Sequence, residues 1–122
     1  LTPRQVGFGP LWSPDGASFA VVQHASEGVD LLVYGAETRF PRNLTRGSGL
    51  AVLDAAWSPG GDRIAFSANG AIHVVDVRTR SISLVADTPL DDRSPAWTPD
   101  GSAILFMAVE DLFEQSSMPD IP

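Results

Sequence analysis

Three tryptophan-led turns divide the chain at regular intervals. The stretch WSPDG begins at Trp12 and returns as WSPGG from Trp57 and as WTPDG from Trp97, after 45 and 40 residues. In such a turn proline fixes φ at the second position, and glycine accepts the positive φ that closes the turn. A period of about 40 residues carried by short strands and tight turns is typical of β-propeller blades. This repeat constrains the fold more than any other feature of the sequence.

The second repeat is the most complete and predicts a whole blade. We expect strands over residues 53–57, 63–67, 71–77 and 81–85, and a tight turn between the first two. Asn69-Gly70 separates the second and third strands and is the strongest short signal for a β-hairpin. Four antiparallel strands in about 40 residues make one propeller blade.

The other two repeats follow the same plan less completely. In the first we expect strands at 8–12, 18–22 and 30–34, a longer loop over 23–29, and an outer strand at 40–45. The third supplies strands at 94–97 and 103–109 and then loses the pattern. Residues 1–109 are therefore predicted to form blades at about 3–45 and 46–86 and an incomplete third at 87–122. Residues 110–122 are predicted to be a loop or a frayed tail.

Hydrophobic runs support burial of the strands on both faces. The segments FAVV, IAF and ILFMAV do not alternate with polar residues, as a half-solvated strand would. The strands of a propeller blade meet this condition, because each blade is packed between two neighbouring blades. Leu44 and Leu84 each lie 13 residues before a repeat tryptophan, so we expect them to occupy equivalent places in the outer strands.

Composition excludes several classes of function. The 122 residues carry 15 acidic and 8 basic side chains, a net charge of −7, and every basic residue is arginine. An acidic surface repels phosphate backbones, which disfavours nucleic-acid binding. The chain contains no cysteine, so disulfides and thiolate metal sites are excluded. No apolar run approaches the ~20 residues that a spanning helix needs.

The motifs resemble the TolB-type, WD40-like propeller repeat. The copies read LWSPDGASFAVV, AWSPGGDRIAFS and AWTPDGSAILFM, and the segment LLVYGAETRFPRNLT resembles the second half of that repeat. Two positions depart from the family pattern, because Gly60 and Gly35 stand where aspartate is usual. Asp76, the counterpart of Gly35 in the second repeat, retains the aspartate. The resemblance implies an all-β, partial β-propeller of antiparallel four-stranded blades, about two and a half to three in number.

The resemblance also implies a range of roles. The leading prediction is a non-enzymatic protein-interaction scaffold, a propeller segment of a bacterial envelope or exported protein, periplasmic or extracellular. The alternative is a fragment of the non-catalytic gating propeller of a prolyl-oligopeptidase-type serine peptidase. A protein partner is expected in the first case. Fold alone does not choose between the two.

No constellation of residues predicts catalysis, a cofactor or a metal. The sequence has no G-x-S-x-G nucleophile elbow, H-E-x-x-H motif or phosphate-binding glycine loop. His24 and His73 lack acidic partners at metal-binding spacing. The tryptophans are predicted to be inter-blade core rather than a binding platform. Asp15 and Asp100 are predicted to be turn residues rather than cation ligands.

Five residues are candidate partner contacts. Asp54 lies three positions before its tryptophan on an innermost strand, where a polar side chain can line the propeller channel; Ser94 has the equivalent place. Asp92 and Arg93 are expected to be solvated loop charges that could face a partner. His24 and Glu27 belong to the predicted loop of the first blade.

Two and a half blades cannot close a ring, since propellers have about four to eight. The terminal blades would each expose an apolar face. Either further blades come from a longer parent chain, or chains associate to complete the ring. Because the sequence begins with Leu1 rather than methionine, we expect a piece of a longer protein.

Overall fold

A computed structural model describes residues 9–25, 28–35 and 40–110 of the chain. These residues form ten strands in three antiparallel sheets, consecutive along the sequence. Within them no helix is long and apolar enough to cross a membrane.

The first sheet, blade 1, has four strands in sequential order. They are β1 (Leu11–Trp12), β2 (Ser18–Ala25), β3 (Gly28–Gly35) and β4 (Arg42–Asn43). The predicted loop over 23–29 is wrong, because β2 and β3 stay paired from Ser18↔Gly35 to Ala25↔Gly28. The predicted outer strand at 40–45 is shorter than expected. Residue 8, the predicted start of the first strand, lies outside the described residues.

The second sheet, blade 2, repeats this order. Its strands are β5 (Val52–Trp57), β6 (Arg63–Ala68), β7 (Ala71–Asp76) and β8 (Ile82–Ala86). A third sheet contains β9 (Asp91–Trp97) and β10 (Ile104–Val109). Two whole four-stranded sheets and half of another match the blade prediction. Most of the predicted tail, from residue 111 onward, lies outside the described residues.

The hairpin turn at Asn69-Gly70 forms as predicted. Asn69 and Gly70 have φ values of 53° and 78°, the left-handed conformation that both central positions of a type I′ turn require. The Asn69 side chain also accepts a hydrogen bond from the N–H of Ala51 at 2.9 Å and donates one to the carbonyl of Gly49 at 3.3 Å. This turn therefore also holds the loop that leads into β5.

The hydrophobic core lies between blades 1 and 2. Alternate residues of β2 and β3 belong to the same buried cluster as alternate residues of β6, so each blade covers an apolar face of the other. The buried cluster comprises Ala20, Val22, Leu31, Val33, Leu44, Val52, Ala55, Ile64, Phe66, Ala68 and Val75.

Indole N–H groups join consecutive sheets in the same way. Nε1 of Trp57 donates to the carbonyl of Leu11 at 2.8 Å, and Nε1 of Trp97 donates to the carbonyl of Ala56 at 2.9 Å. In both cases the accepting carbonyl belongs to the residue directly before the repeat tryptophan of the sheet that comes earlier in the chain. Trp12 begins the first described blade and is 60% exposed. The inter-blade prediction is therefore confirmed for Trp57 and Trp97, whereas Trp12 lies largely open.

The equivalence of Leu44 and Leu84 is wrong. Leu44 is 3% exposed, whereas Leu84 is 61% exposed. The N–H of Leu44 donates to the carbonyl of Leu31 at 2.9 Å, but Ile72, the counterpart of Leu31 in blade 2, pairs with Ala86. The register of β7 and β8 shifts between Ile72 and His73. Leu84 pairs with His73 and therefore has the strand position that Asn43 has in blade 1, one residue before Leu44, and successive strand residues face opposite sides.

Candidate functional site

The turn acids are structural, as predicted. Asp15 accepts hydrogen bonds from the hydroxyl of Ser13 at 2.7 Å and the N–H of Ala17 at 2.9 Å. Asp100 accepts from the hydroxyl of Thr98 at 2.7 Å and the N–H of Ser102 at 3.0 Å. These bonds favour the carboxylate, so the Ser13 hydroxyl is the main cause of a lowered pKa at Asp15. The N–H of Ser102 is the main cause at Asp100, whose pKa falls to about 2.

The middle turn shows how the missing aspartate is replaced. Gly60 occupies the position of Asp15 and Asp100, and the hydroxyl of Ser58 donates instead to Asp62, two residues further on, at 3.0 Å. The rest of the turn is unchanged, because the N–H of Gly61 still donates to the carbonyl of Ser58 at 2.9 Å. An acidic side chain can therefore accept the hydroxyl hydrogen bond of this turn either from the position of Asp15 or from the position two residues later.

The turn acids predict a loss of stability in acid. A carboxyl whose pKa is lower in the folded state contributes stability above its unfolded value, and that contribution disappears as the pH falls through the folded value. For Asp100 this window runs from 3.8 down to about 2. Thermal unfolding from pH 5 to pH 2 should show that Asp100→Asn lowers the Tm at pH 5 and flattens its decline as the pH falls to 2.

Asp87→Asn provides a charge-matched control for this experiment. Asp87 is exposed and lies outside the tryptophan-led turns. Its replacement should leave the decline between pH 4 and pH 2 as steep as in the parent chain. If Asp100→Asn shows the same slope as the parent, the turn does not derive stability from the ionised carboxylate.

Asp54 joins blade 2 to the third sheet. One carboxylate oxygen accepts a hydrogen bond from the Ser67 hydroxyl, and the other accepts from the N–H of Ser94 at 3.1 Å and its hydroxyl at 3.4 Å. Ser94 has a φ of 59° beside an irregularity in the pairing of β9 with β10, which turns its N–H toward Asp54. Asp54 is half-buried. Its role as a partner contact remains a prediction.

Asp92 is buried, so the prediction of a solvated loop charge is wrong. Its side chain has no exposed surface and accepts hydrogen bonds from the N–H of Thr88, at 2.7 Å, and from the Thr88 hydroxyl. Its own N–H donates to the carbonyl of Gly70 at 3.0 Å. Residues 91–93 belong to β9 rather than to a loop. In this conformation Asp92 offers no surface to a partner.

Arg93 is the more accessible of the two neighbours. Its guanidinium donates to Asp91 at 2.7 Å, and both side chains are 40% exposed. An ion pair exposed to this degree contributes about 0–1 kcal/mol to stability. Arg93 therefore retains accessible surface, and its contact with a partner remains a prediction.

His24 lies on a strand rather than on the predicted loop, and it is exposed at the end of β2. Glu27 lies outside the described residues. His24 lines a cleft with Arg42, Arg46 and Arg80, three residues that no sequence motif indicated as a site. The segments RNLTR and RTR contain these arginines, but only the packing of blade 1 against the β7–β8 turn brings them together.

His73 has a structural environment. It is 8% exposed, its ring stacks on Phe66 with centroids 5.2 Å apart, and its Nε2 lies 3.4 Å from the carbonyl of Ala68. Within residues 9–25, 28–35 and 40–110, no three histidine or acidic side chains form a group that could hold a metal ion.

Solved structures identify the architecture. The chain is similar to a putative TolB from Agrobacterium tumefaciens (TM-score 0.75, 23% identity, 98% of this chain and 43% of that one). It is also similar to TolB from Acinetobacter baumannii (TM-score 0.71, 27% identity, 88% and 28%). The tricorn protease shares the fold at lower identity (TM-score 0.66, 20% identity, 81% and 10%). No protein-family model and no curated protein matches the sequence.

The class of protein is therefore a β-propeller. More particularly, the fold is TolB-like, as the repeat predicted, and the described residues supply two four-stranded blades and the beginning of a third. The chain spans less than half the length of the TolB structures that it matches, 43% and 28% respectively.

Proposed function

We propose that this chain is part of a non-enzymatic protein-interaction scaffold, a TolB-like propeller segment of a bacterial envelope or exported protein. The observation that carries the proposal is the 27% identity to TolB from Acinetobacter baumannii across 88% of this chain. A periplasmic or extracellular location belongs to the same proposal.

Rigid links between the sheets support such a role. The indole bonds of Trp57 and Trp97 join each sheet to the one before it. The tryptophan-led turns also stack, because a Cβ at Gly61 would lie 3.6 Å from Cδ of Pro14. Loops and strand ends held by such a framework keep fixed spacings, which lowers the entropy cost of binding a protein.

Exposure supports three of the proposed partner contacts. His24 and Arg93 are accessible side chains on the described strands, and Asp54 is half-buried at the inner strand. These three residues, with Glu27, are the proposed contacts. Asp92 is no longer among them, because it is buried.

A second candidate function is the gating propeller of a serine peptidase. It is favoured by the likeness to the tricorn protease, which shows the shared fold alone at 20% identity. In that case catalysis would belong to another domain of the parent protein. A fluorophosphonate probe distinguishes the two, because it labels a parent protein that contains an active serine hydrolase and leaves a scaffold unlabelled.

Site-specific photo-crosslinking tests the scaffold. A photoreactive phenylalanine analogue would replace His24 or Arg93 in the full-length parent. Ser102, which is exposed directly after the third tryptophan-led turn, would serve as the control position. In envelope preparations from the source cells, we expect one discrete protein adduct from position 24 or 93 and none from position 102. Identical adduct patterns at all three positions, or no adduct, would contradict the scaffold.

A further inference from the structure

A cationic cleft lies where the outer edge of blade 1 meets the β7–β8 turn of blade 2. Its volume is about 450 Å³. We name it the arginine cleft, after Arg42, Arg46 and Arg80, with His24 also in its lining. The other described lining residues are Gln23, Leu32, Pro41 and Asn43. No acidic side chain is among these residues, although the chain as a whole carries a net charge of −7.

Arg42 is held in place by uncharged acceptors. Its Nη1 donates to the carbonyl of Val77 at 2.7 Å, and its Nη2 donates to the carbonyl of Arg78 at 3.1 Å. The side chain is half-buried. Among the described residues the one ion pair is Arg93 with Asp91, so no described carboxylate neutralises Arg42. A partly desolvated guanidinium whose described acceptors are all uncharged would be stabilised further by an external anion.

Arg80 occupies a backbone position that favours glycine. Its φ is +68°, and its N–H closes the turn by donating to the carbonyl of Asp76 at 2.7 Å. Glycine adopts this conformation without the steric cost that a Cβ imposes. The fold therefore does not need an arginine here, and the residue's contribution is its exposed positive side chain at the cleft.

We infer that the arginine cleft binds a carboxylate-bearing segment of the partner protein; that the ligand is a protein rests on the proposed function. Guanidinium groups form paired, charge-assisted hydrogen bonds with carboxylates. Several arginines in one cleft can take consecutive acidic side chains of an extended segment. The acidic remainder of the chain repels long polyanions such as nucleic acids but leaves the approach of a short peptide to this local positive patch favourable.

Fluorescence anisotropy with a fluorescein-labelled hexaglutamate peptide tests the inference on the full chain. We expect binding that weakens with salt, and a loss of about fivefold or more in affinity for Arg46→Gln and for Arg80→Gly, the size of one charge-assisted contact. Arg80→Gly should weaken binding without lowering the Tm, because glycine suits the turn. This variant therefore separates a loss of binding from a loss of stability.

Arg78→Gln is the matched control. Arg78 is exposed in the same turn and its side chain does not line the cleft, so its replacement removes an equal charge two residues from Arg80. We expect less than a twofold change in affinity. An equal loss in all three variants would show non-specific attraction and overturn the inference, as would the absence of peptide binding.

Inorganic phosphate distinguishes the ligand's chemistry. If phosphate binds through Arg46 and Arg80 while hexaglutamate does not bind, the cleft is a phosphate site and the inference is wrong. A partner adduct in the photo-crosslinking experiment together with wild-type peptide binding by Arg46→Gln and Arg80→Gly would refute the cleft and leave the scaffold standing. Peptide binding through the cleft without any crosslinked partner would refute the scaffold and leave the affinity of the cleft for acidic peptides standing.

Discussion

Replacement of Phe66 with alanine is expected to lower the free energy of unfolding by about 3–5 kcal/mol. Phe66 is fully buried at the centre of β6. It belongs to the buried cluster between blades 1 and 2, together with Val22 and Leu31 of blade 1. Its ring also stacks on His73, with centroids 5.2 Å apart. The substitution removes apolar contact on both sides and leaves a cavity that neighbouring strands cannot fill without breaking their pairing.

Urea denaturation followed by far-UV circular dichroism measures this loss. Phe40→Ala is the matched control, since Phe40 is 74% exposed and its removal should cost less than about 1 kcal/mol. The two variants delete the same side chain, so their difference reports burial. Similar losses in both would mean that the shared core between the blades does not hold them together.

The architecture could be predicted because local chemistry and the repeat agree. Each tryptophan-led turn has a proline and a glycine where the turn geometry requires them, and Gly16, Gly61 and Gly101 adopt φ values of 75–77°. Asn69-Gly70 fixes the next hairpin in the same local way. These signals act over a few residues, and their repetition places the strands in order.

The outer strands were predicted less well because their register depends on partners. Leu84 and Leu44 have the same spacing from a tryptophan, but strand pairing gives Leu84 the position of Asn43, one residue before Leu44. His24 was assigned to a loop because its segment, QHASEGV, is polar and contains glycine. Pairing of β2 with β3 overrides that weak local preference.

The candidate site was only partly predictable for a similar reason. The adjacent charges Asp91, Asp92 and Arg93 read as a solvated loop, yet Thr88 supplies the donors that allow Asp92 to be buried. Arg42 and Arg80 are far apart in sequence and meet only when blade 2 packs against blade 1. A single sequence carries no local signal for such a meeting.

Trp57 and Trp12 are expected to differ in their contribution to the free energy of unfolding despite their equivalent sequence positions. Trp57→Ala should cost about 3 kcal/mol or more, because Trp57 packs against the shared core and its indole N–H donates to the carbonyl of Leu11 at 2.8 Å. Trp12→Ala should cost about 1 kcal/mol. Trp12 is 60% exposed and forms a tilted ring pair with Phe19, with centroids 5.2 Å apart.

Urea denaturation by circular dichroism suits both variants, because tryptophan fluorescence would change with the substitution itself. Trp57→Phe separates the two parts of the loss: it retains most of the apolar packing and removes the N–H, and should cost about 1–2 kcal/mol. The expected order is therefore Trp57→Ala, then Trp57→Phe, then Trp12→Ala. Equal losses from Trp12→Ala and Trp57→Ala would contradict it, since a tryptophan without a preceding described blade would then matter as much as one that joins two blades.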